Sequence, residues 1–216
     1  MLLVEDPVVS RPAIEVRQAP TWKRCLDLIG GLVFGAVALP VLAVVVVYIK
    51  IVSSGPALFT QYRLGRGGKM FRIYKLRTLK IDPANEEKHR GFIKAMDRSK
   101  PAAKPSLENR LIPCGMLIRK LSIDELPQLW NVLRGDMSLV GPRPDVLQME
   151  DYQDHELRRF EVLPGMTGLW QVSGKNRLSY TEMIKLDVQY VDSVSLKQDL
   201  WILLETVGAI HQRDDD

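Results

Sequence analysis

Two neighbouring carboxylates, Asp124 and Glu125, are the residues of this chain best suited to chemistry. They lie in the segment LSIDELPQL, residues 121–129. One carboxylate of such a pair can attack a phosphorus atom while its neighbour holds a divalent metal ion that neutralises phosphate oxygens. Adjacent acids are also common at the starts of solvated helices, where the helix dipole favours negative charge. The pair alone does not separate catalysis from helix capping, so the surrounding elements must decide.

The composition limits the metals and compartments that suit this chain. Its 216 residues fit one compact domain, or one domain with an appended element. Two cysteines, Cys25 and Cys114, are too few for a disulfide framework and predict reduced thiols facing a cytosolic compartment. The three histidines are scattered along the sequence. Any metal is therefore expected to be held by oxygen atoms, which favours Mg²⁺ or Mn²⁺ over Zn²⁺.

The net charge of +4 is concentrated beside the most apolar segment. The basic residues that bracket and follow this segment are Lys23, Arg24, Lys50, Arg63, Arg66, Lys69, Arg72, Lys75 and Arg77. Cations next to an apolar run are typical of association with the cytoplasmic face of a membrane. Nucleic-acid binding is disfavoured, because no aromatic platform is interleaved with these cations.

A run of about 22 residues without a charged side chain, Leu28–Ile49, predicts a membrane segment. Pro40 lies near its centre, where it removes a helical hydrogen bond, so the helix is expected to break or bend there. Cations flank both ends, which leaves two topologies open on physical grounds. The segment either spans the bilayer as a kinked helix or enters, turns at Pro40 and returns to the same face. A polar tail of about 20 residues precedes it, which disfavours a cleaved signal peptide.

The residues after the membrane segment predict a small hairpin followed by helices. Residues 57–61 and 70–77 read as short strands, and glycines at 65, 67 and 68 supply the turn between them. Residues 82–109 form a polar excursion whose first half is a candidate helix. Residues 179–209 predict one or two helices that are available for packing or for lying on the bilayer.

Apolar residues recur at helical spacing on both sides of the acid pair, between Ile112 and Leu133. Pro127 has no amide hydrogen and therefore fits best in the first turn of a helix. This places Asp124 or Ser122 at the helix cap and the acid pair at the positive end of the helix. The expected consequence is an ionised Asp124 at neutral pH.

Two later loops carry basic tips. Pro142 and Pro144 restrict the backbone around Arg143, so its guanidinium leaves a stiff loop in a preset direction. A guanidinium held in this way can bind a phosphate with two hydrogen bonds. The ordinary alternative is a rigid surface turn with a solvated arginine. Residues 163–177 repeat this design, with turn residues, an aromatic residue and a basic tip that includes Lys175.

Three motifs together resemble the bacterial sugar transferase family, the monotopic phosphoglycosyl transferases that begin polysaccharide and glycoconjugate assembly on a polyprenyl phosphate. The motifs are KLRT at 75–78, DELPQLWNVLRGDMSLVGPRP at 124–144 and PGMTG at 164–168. The resemblance covers about residues 20–210. Each motif alone is weak, but their combination in this order is specific.

The resemblance implies roles for individual residues. Asp124 matches the family's aspartate nucleophile, which forms a covalent phosphosugar intermediate, and Glu125 matches its neighbour; together the two are expected to hold Mg²⁺. The basic positions around the phosphates are matched by Lys75, Arg77, Arg119 and Arg143. Lys175 stands where the family often has the arginine of a Gly-Arg-Asn motif. A lysine keeps the charge there but loses the bidentate geometry.

The resemblance also implies substrates and a location. The donor is expected to be a nucleoside diphosphate sugar, in particular a UDP-sugar, and the acceptor a polyprenyl phosphate such as undecaprenyl phosphate. The products are then UMP and a polyprenyl diphosphosugar. The catalytic domain is expected on the cytoplasmic face of the bacterial inner membrane, in contact with lipid, and a homodimer is compatible with the sequence. Two alternatives remain: a membrane-anchored binding protein without catalysis, and a glycosyltransferase that releases nucleoside diphosphate.

We therefore predict an α/β, mostly helical, monotopic membrane protein with a proline-broken re-entrant helix, a small strand hairpin and amphipathic interfacial helices. The predicted divisions are a polar tail (1–20), the re-entrant membrane helix (21–52), the cytoplasmic catalytic domain (53–210) and a second polar tail (211–216). Small members of the family often have Ser-Pro at the membrane break, where Leu39 and Pro40 stand here. We expect a minimal member without a large N-terminal partner domain.

Overall fold

The computed structural model describes residues 13–82, 85–101, 110–174 and 177–211. The α-helices within these ranges are α1 (Thr21–Val52), α2 (Asn85–Ala95), α3 (Gly115–Lys120), α4 (Gln128–Arg134), α5 (Leu169–Val172), α6 (Tyr180–Ser193) and α7 (Leu196–His211). The strands are β1 (Leu58–Leu64), β2 (Met70–Leu76), β3 (Ser138–Val140) and β4 (Gly165–Thr167). The predicted mostly helical α/β class is confirmed.

The helix α1 is one element of 32 residues, about 48 Å long at 1.5 Å per residue. Its outward face is apolar, and Leu32, Val37 and Val44 on it are 63–70% exposed. In the described part of the chain it is the one helix that is long and apolar enough to cross a membrane. The predicted break at Pro40 is not shown, because the helix continues through this residue. A bend at Pro40 stays a prediction.

The opposite face of α1 lies along its whole length on the rest of the described structure, which we call the body. The residues buried on this face are Lys23, Asp27, Gly31, Ala38 and Ile49. They are separated by one, one, two and three helical turns, so they share one stripe. The first part of the stripe contacts α4 and β3. At the other end, Ile49 packs with Leu76 of β2 and with Ile112.

The first turn of α1 carries a buried lysine. Lys23 is 3% exposed, and its ammonium donates to the Val140 carbonyl at 2.9 Å, the Tyr190 hydroxyl at 2.9 Å and the Asp199 carboxylate at 2.6 Å. All three donors of the ammonium are therefore used. A charge removed from water is stable only with such partners, so these contacts fix the start of α1 against β3, α6 and α7.

One turn later, Asp27 bonds α1 to β3. Its Oδ1 accepts hydrogen bonds from the Ser138 hydroxyl and the Leu139 amide, both at 2.8 Å. Gly31 lets the helix approach its neighbour closely, because a Cβ there would lie 2.9 Å from Leu133 Cδ2. The beginning of α1 is therefore hydrogen-bonded to β3 and packed on α4.

Arg77 holds the segment that follows α1. Its guanidinium donates to the Ser53 hydroxyl at 2.7 Å and to the carbonyls of Ser53, Ser54 and Pro56 at 3.1, 2.9 and 2.6 Å. A cation is favourable at the C-terminal end of a helix, where carbonyl oxygens lack partners. Both ends of α1 are consequently tied to the same body.

The described part of the predicted N-terminal tail, residues 13–20, also lies on this body. Arg17 forms an ion pair with Glu161, with 2.7 Å between Nε and Oε2, and donates to the Val191 carbonyl at 2.8 Å. Ile14 packs against an apolar cluster that contains Phe160. The chain therefore contacts the body both before and after its apolar helix.

β1 and β2 form the predicted hairpin. They are antiparallel, with Leu58 opposite Leu76. In the turn, Gly67 and Gly68 have φ angles of 66° and 72°. Glycine adopts this left-handed conformation without the steric cost that other residues meet, which explains why the glycine cluster identified the turn.

A second sheet, which the sequence patterns do not predict, consists of the parallel strands β3 and β4. Strands of three residues are too short to show an alternating pattern. A Cβ on Gly165 would lie 2.1 Å from the Gly141 amide nitrogen, and a Cβ on Gly168 would lie 2.4 Å from the Gly141 carbonyl oxygen. The loop that carries Arg143 therefore begins at a backbone crossing that accommodates glycine only.

The helical region around the acid pair is divided into α3, a 3₁₀ turn (Ile123–Glu125) and α4. Ser122 has a φ of 56° and ends the first helical piece. Pro127 occupies the N-cap position of α4, just before the first helical turn in which it was predicted. Of the two predicted caps, Ser122 occupies the N-cap position of the 3₁₀ turn, although its side chain forms no capping hydrogen bond, and Asp124 lies inside this turn.

Replacing Lys23 with Met should destabilise the protein, because it leaves the Asp199 carboxylate buried without its counter-charge. We expect the free energy of unfolding to fall by about 3–5 kcal/mol. Urea unfolding in detergent micelles, followed by tryptophan fluorescence, measures this change. Lys197→Met, at an exposed position of α7, is the control. The double variant K23M/D199N should recover much of the loss; an equal loss in the single and double variants would contradict the pairing.

Candidate active site

Glu125 lies at the centre of a cluster of charged side chains. Lys75 Nζ donates to Glu125 Oε1 at 3.1 Å, and Arg143 Nη1 donates to Oε2 at 3.1 Å. Arg143 Nη2 also donates to Oε1, so the guanidinium holds the carboxylate with two bonds. The three side chains are 18–24% exposed, which leaves the cluster accessible to a ligand.

The two cations keep Glu125 ionised. Burial acts to raise the pKa of Glu125, but the charges of Arg143 and Lys75 and their hydrogen bonds hold it well below its usual range. Burial lowers the pKa of Lys75, against the opposing effect of Glu125. Glu125 is therefore a fixed negative charge, and both of its oxygens already accept hydrogen bonds.

Asp124 has different surroundings, although it is the next residue in the chain. It is 7% exposed, and its carboxylate accepts no hydrogen bond from the residues that the structure describes. Burial and the charge of Glu125 raise its pKa to about 6, against the opposing charges of Lys75, Arg119 and Arg143. The carboxylate is thus ionised at neutral pH, as predicted. The predicted reason is wrong, because desolvation outweighs any stabilisation by the helix end.

Arg119 and Arg77, which were both expected near the phosphates, lie in different places. Arg119 Nη1 is 3.4 Å from the Thr78 hydroxyl, and its charge acts on Asp124. Arg77 is instead directed into residues 53–56, whose oxygen atoms accept from it. The geometry therefore does not bring Arg77 into the charged cluster. Lys175 lies outside the described residues.

Asn131 of α4 holds the strand that carries Lys75. Its Nδ2 donates to the Arg72 carbonyl at 2.7 Å, and its Oδ1 accepts from the Tyr74 amide at 3.2 Å. Neighbouring residues of a strand point to opposite faces. Lys75 therefore points towards Glu125, while Tyr74 lies on the other face of the hairpin.

A buried arginine that the sequence patterns do not identify, Arg159, supports the Arg143 loop. Its Nη2 donates to the Arg143 carbonyl at 2.6 Å and to Asp187 at 2.8 Å, and its Nη1 donates to Asp145 at 2.8 Å. Burial raises the pKa of Asp187 to about 7, against the charge of Arg159. Asp145, which directly follows the loop motif, was the available signal in the sequence. A carboxylate at that position needs a basic partner, and Arg159 is that partner. The loop is therefore held from behind by a charged network as well as by its two prolines.

The two carboxylates fit a magnesium ion of the kind that proteins hold with one or two carboxylates and the phosphates of a substrate. Within the described ranges, no group of three or more His, Cys, Asp and Glu side chains is arranged to hold a metal. Asp124 has uncommitted oxygen lone pairs, whereas Glu125 has to exchange a basic partner for the ion. The donor set therefore suits a metal ion that is also bound by phosphate.

The charged cluster has the components that phosphoryl chemistry needs. Three cations, Lys75, Arg119 and Arg143, surround two carboxylates and leave one excess positive charge for an incoming anion. Asp124 is ionised and not engaged by hydrogen-bond donors, as a carboxylate nucleophile requires. Preorganised cations beside it stabilise the charge of a phosphoryl group in transfer.

The chain belongs to the bacterial sugar transferase family, whose sequence pattern matches residues 18–213. The match includes α1, the hairpin, the acid pair and the Arg143 loop. The arrangement of Lys75, Glu125 and Arg143 in the structure agrees with the motifs that carried the resemblance.

Three relatives illustrate the membership. The chain is 40% identical over 190 residues to the galactosyl transferase CpsE of Streptococcus agalactiae, covering 87% of the chain and 42% of that protein. It is 38% identical over 202 residues to an undecaprenyl-phosphate galactose phosphotransferase of Salmonella typhimurium, covering 89% and 41%. A UDP-glucose:undecaprenyl-phosphate glucose-1-phosphate transferase of Caulobacter vibrioides is 37% identical over 219 residues, covering 96% and 74%. The chain thus spans about two-fifths of the length of the first two relatives.

Replacing Asp124 with Asn should stabilise the fold at high pH. The folded-state pKa of about 6 lies above the ordinary value of 3.8, so the stability of the folded state falls as the pH rises from 3.8, and the full loss is reached above pH 6. In metal-free buffer at pH 8, the free energy of unfolding should rise by up to about 3 kcal/mol. The difference should vanish below about pH 4, where the parent carboxylate is protonated in both states.

Urea unfolding at the two pH values measures this effect. Asp154→Asn, at an exposed position, is the matched control and should change little at either pH. A loss of stability in the Asp124 variant at pH 8 would show that the carboxylate has a stabilising partner.

Proposed function

We propose that this protein transfers a sugar 1-phosphate from a UDP-sugar to a polyprenyl phosphate such as undecaprenyl phosphate, the first step in building a glycoconjugate or exopolysaccharide. The observation that carries the proposal is the Asp124 carboxylate, which is buried, ionised at neutral pH and accepts no hydrogen bond from the described residues. Family membership supports it, as do relatives whose names describe sugar-phosphate transfer to undecaprenyl phosphate.

The proposed reaction has two displacement steps at one phosphorus. First, an Asp124 oxygen attacks the phosphorus that bears the sugar, and the bridging oxygen leaves with its bonding electrons as part of UMP. The sugar 1-phosphate is then joined to Asp124 as an acyl phosphate. Second, an oxygen of the polyprenyl phosphate attacks the same phosphorus and breaks the bond to Asp124. The products are the polyprenyl diphosphosugar and the restored carboxylate.

The basic residues of the cluster act on the donor phosphates. Arg143 and Lys75 contact Glu125 in the structure, and an entering diphosphate competes with this carboxylate for their hydrogen bonds. Arg119 adds positive charge on the Asp124 side. Since Arg159 fixes the Arg143 loop, the guanidinium does not have to be reorganised when charge develops on the phosphoryl oxygens.

The proposed reaction also uses a magnesium ion. Asp124 and Glu125 would hold the ion, with Mn²⁺ as a chemically similar replacement. When bound, it supplies positive charge against the phosphate oxygens.

Asp124→Asn should abolish both the transfer and the covalent intermediate. The purified protein is incubated with Mg²⁺ and a panel of sugar-labelled UDP-sugars before any acceptor is added. The parent protein should become labelled and release UMP, and the variant should lose both by at least about a thousandfold. Asp154→Asn is the control.

The released nucleotide distinguishes the alternatives. UMP supports transfer of the phosphosugar, whereas UDP would show transfer of the sugar alone. If no donor yields a released nucleotide, a membrane-anchored binding protein is favoured. If the Asp124→Asn variant keeps full turnover, Asp124 is not the nucleophile.

The membrane segment is proposed to enter and leave on the cytoplasmic face of the inner membrane. Lys23 near the start of α1 and Ser53 just after its end both form hydrogen bonds with the body. A spanning helix would leave one end across about 30 Å of hydrocarbon, away from that body. The contacts at both ends therefore support re-entry, with the apolar outer face of α1 in lipid.

Single cysteines before and after α1 test this topology. On a background of Cys25→Ser and Cys114→Ser, the variants V16C and S54C place a thiol at an exposed position on each side of the helix. A membrane-impermeant maleimide should label both in inverted inner-membrane vesicles and neither in intact spheroplasts. Labelling of the two positions from opposite sides would show a spanning helix.

A further inference from the structure

Gln128 carries a buried amide group that has no partner in the described part of the chain. The residue is 1% exposed, and its Nε2 donates no hydrogen bond to any residue that the structure describes. A buried donor without an acceptor costs free energy, and native proteins retain few of them. The neighbours of Gln128 in the fold indicate which acceptor this amide serves.

Gln128 lies between two side chains that contact β2. The backbone that joins the 3₁₀ turn to α4 is helical, so Glu125, Gln128 and Asn131, each three residues apart, form one row. At one end of the row Glu125 accepts from Lys75, and at the other end Asn131 donates to the Arg72 carbonyl. The side chain of Gln128 therefore lies against the same strand, one turn from the Glu125 carboxylate.

The burial of Gln128 distinguishes between two possible acceptors. A diphosphate that enters the site from solvent does not reach an amide that is 1% exposed. The Glu125 carboxylate lies one turn earlier in the same row and accepts from Lys75 and Arg143 in the structure. These are the cations that the proposed function assigns to the donor phosphates. Glu125 therefore needs a replacement hydrogen-bond donor when the two cations turn to a diphosphate.

We propose that Gln128 is a positioning residue, whose side-chain amide donates to Glu125 when a diphosphate takes over the hydrogen bonds of Lys75 and Arg143. The inference rests on the proposed function, because it takes these two cations to bind the diphosphate of the sugar donor. An amide that is unpaired in the ligand-free protein becomes paired in the complex, which offsets part of the cost of breaking the bonds of Glu125. The Glu125 carboxylate consequently keeps its place beside Asp124.

Gln128→Met tests this exchange, because methionine has a similar length and shape but no hydrogen-bond donor. The probe is UDP, a nucleoside diphosphate that carries no sugar to transfer. In detergent micelles, titration calorimetry should give a dissociation constant for UDP about tenfold higher in Q128M than in the parent protein. Without UDP, the free energy of unfolding in urea should stay equal or rise, because the variant no longer buries an unpaired donor. Gln189→Met, at an exposed position of α6, is the control and should change neither quantity.

A double-mutant cycle tests whether Glu125 is the acceptor. In a Glu125→Ala background, replacing Gln128 with Met should change the dissociation constant for UDP by less than about twofold, since the carboxylate that the amide serves is gone. A tenfold effect in both backgrounds would overturn the proposal, as would weaker UDP binding in Q128M accompanied by a lower free energy of unfolding. Unchanged UDP binding in Q128M would refute this inference alone, whereas a parent protein that binds no UDP would refute the proposed function and the inference with it.

Discussion

The burial of Lys23 and Asp27 at the start of the membrane helix is the constraint on which the rest of the structure depends. The buried Lys23 ammonium has all three of its donors satisfied, by the Val140 carbonyl, the Tyr190 hydroxyl and the Asp199 carboxylate, and Asp27 Oδ1 accepts from the Leu139 amide of β3. The two residues therefore fix β3 against α1. Because the loop of Arg143 follows β3 directly, the guanidinium that contacts Glu125 is positioned relative to the membrane helix.

The two neighbouring acids acquire opposite properties because their surroundings differ. Glu125 takes up the hydrogen bonds of Arg143 and Lys75, which lowers its pKa strongly. Asp124 receives only the charges of these cations, and burial raises its pKa. An anion that is poorly solvated and not hydrogen-bonded loses little when it attacks an electrophile. The hydrogen bonds of the cluster thus concentrate on Glu125, which leaves Asp124 as the carboxylate available for the proposed attack.

Sequence patterns predicted the parts of the fold that neighbouring residues determine. The glycine turn identified the hairpin, and the uncharged run identified α1. Motif resemblance placed Lys75 and Arg143 beside the acid pair, and the geometry agrees. The functional contacts that sequence patterns missed share a physical cause. In each case, the hydrogen-bond partner of the side chain is distant in the sequence. The acceptors of Arg77 gather only when the hairpin folds against the end of α1, and Arg159 reaches the Arg143 loop from a separate 3₁₀ segment.

The buried stripe of α1 fixes both the position of this helix on the body and the position of the strand that leads to Arg143. Lys23 and Asp27 at one end hold the strand that leads to Arg143, while Ile49 near the other end packs with Leu76 of β2 and with Ile112. Because both sets of contacts lie on one stripe of a single 32-residue helix, the position of the Arg143 loop and the path of α1 along the body follow from the same packing.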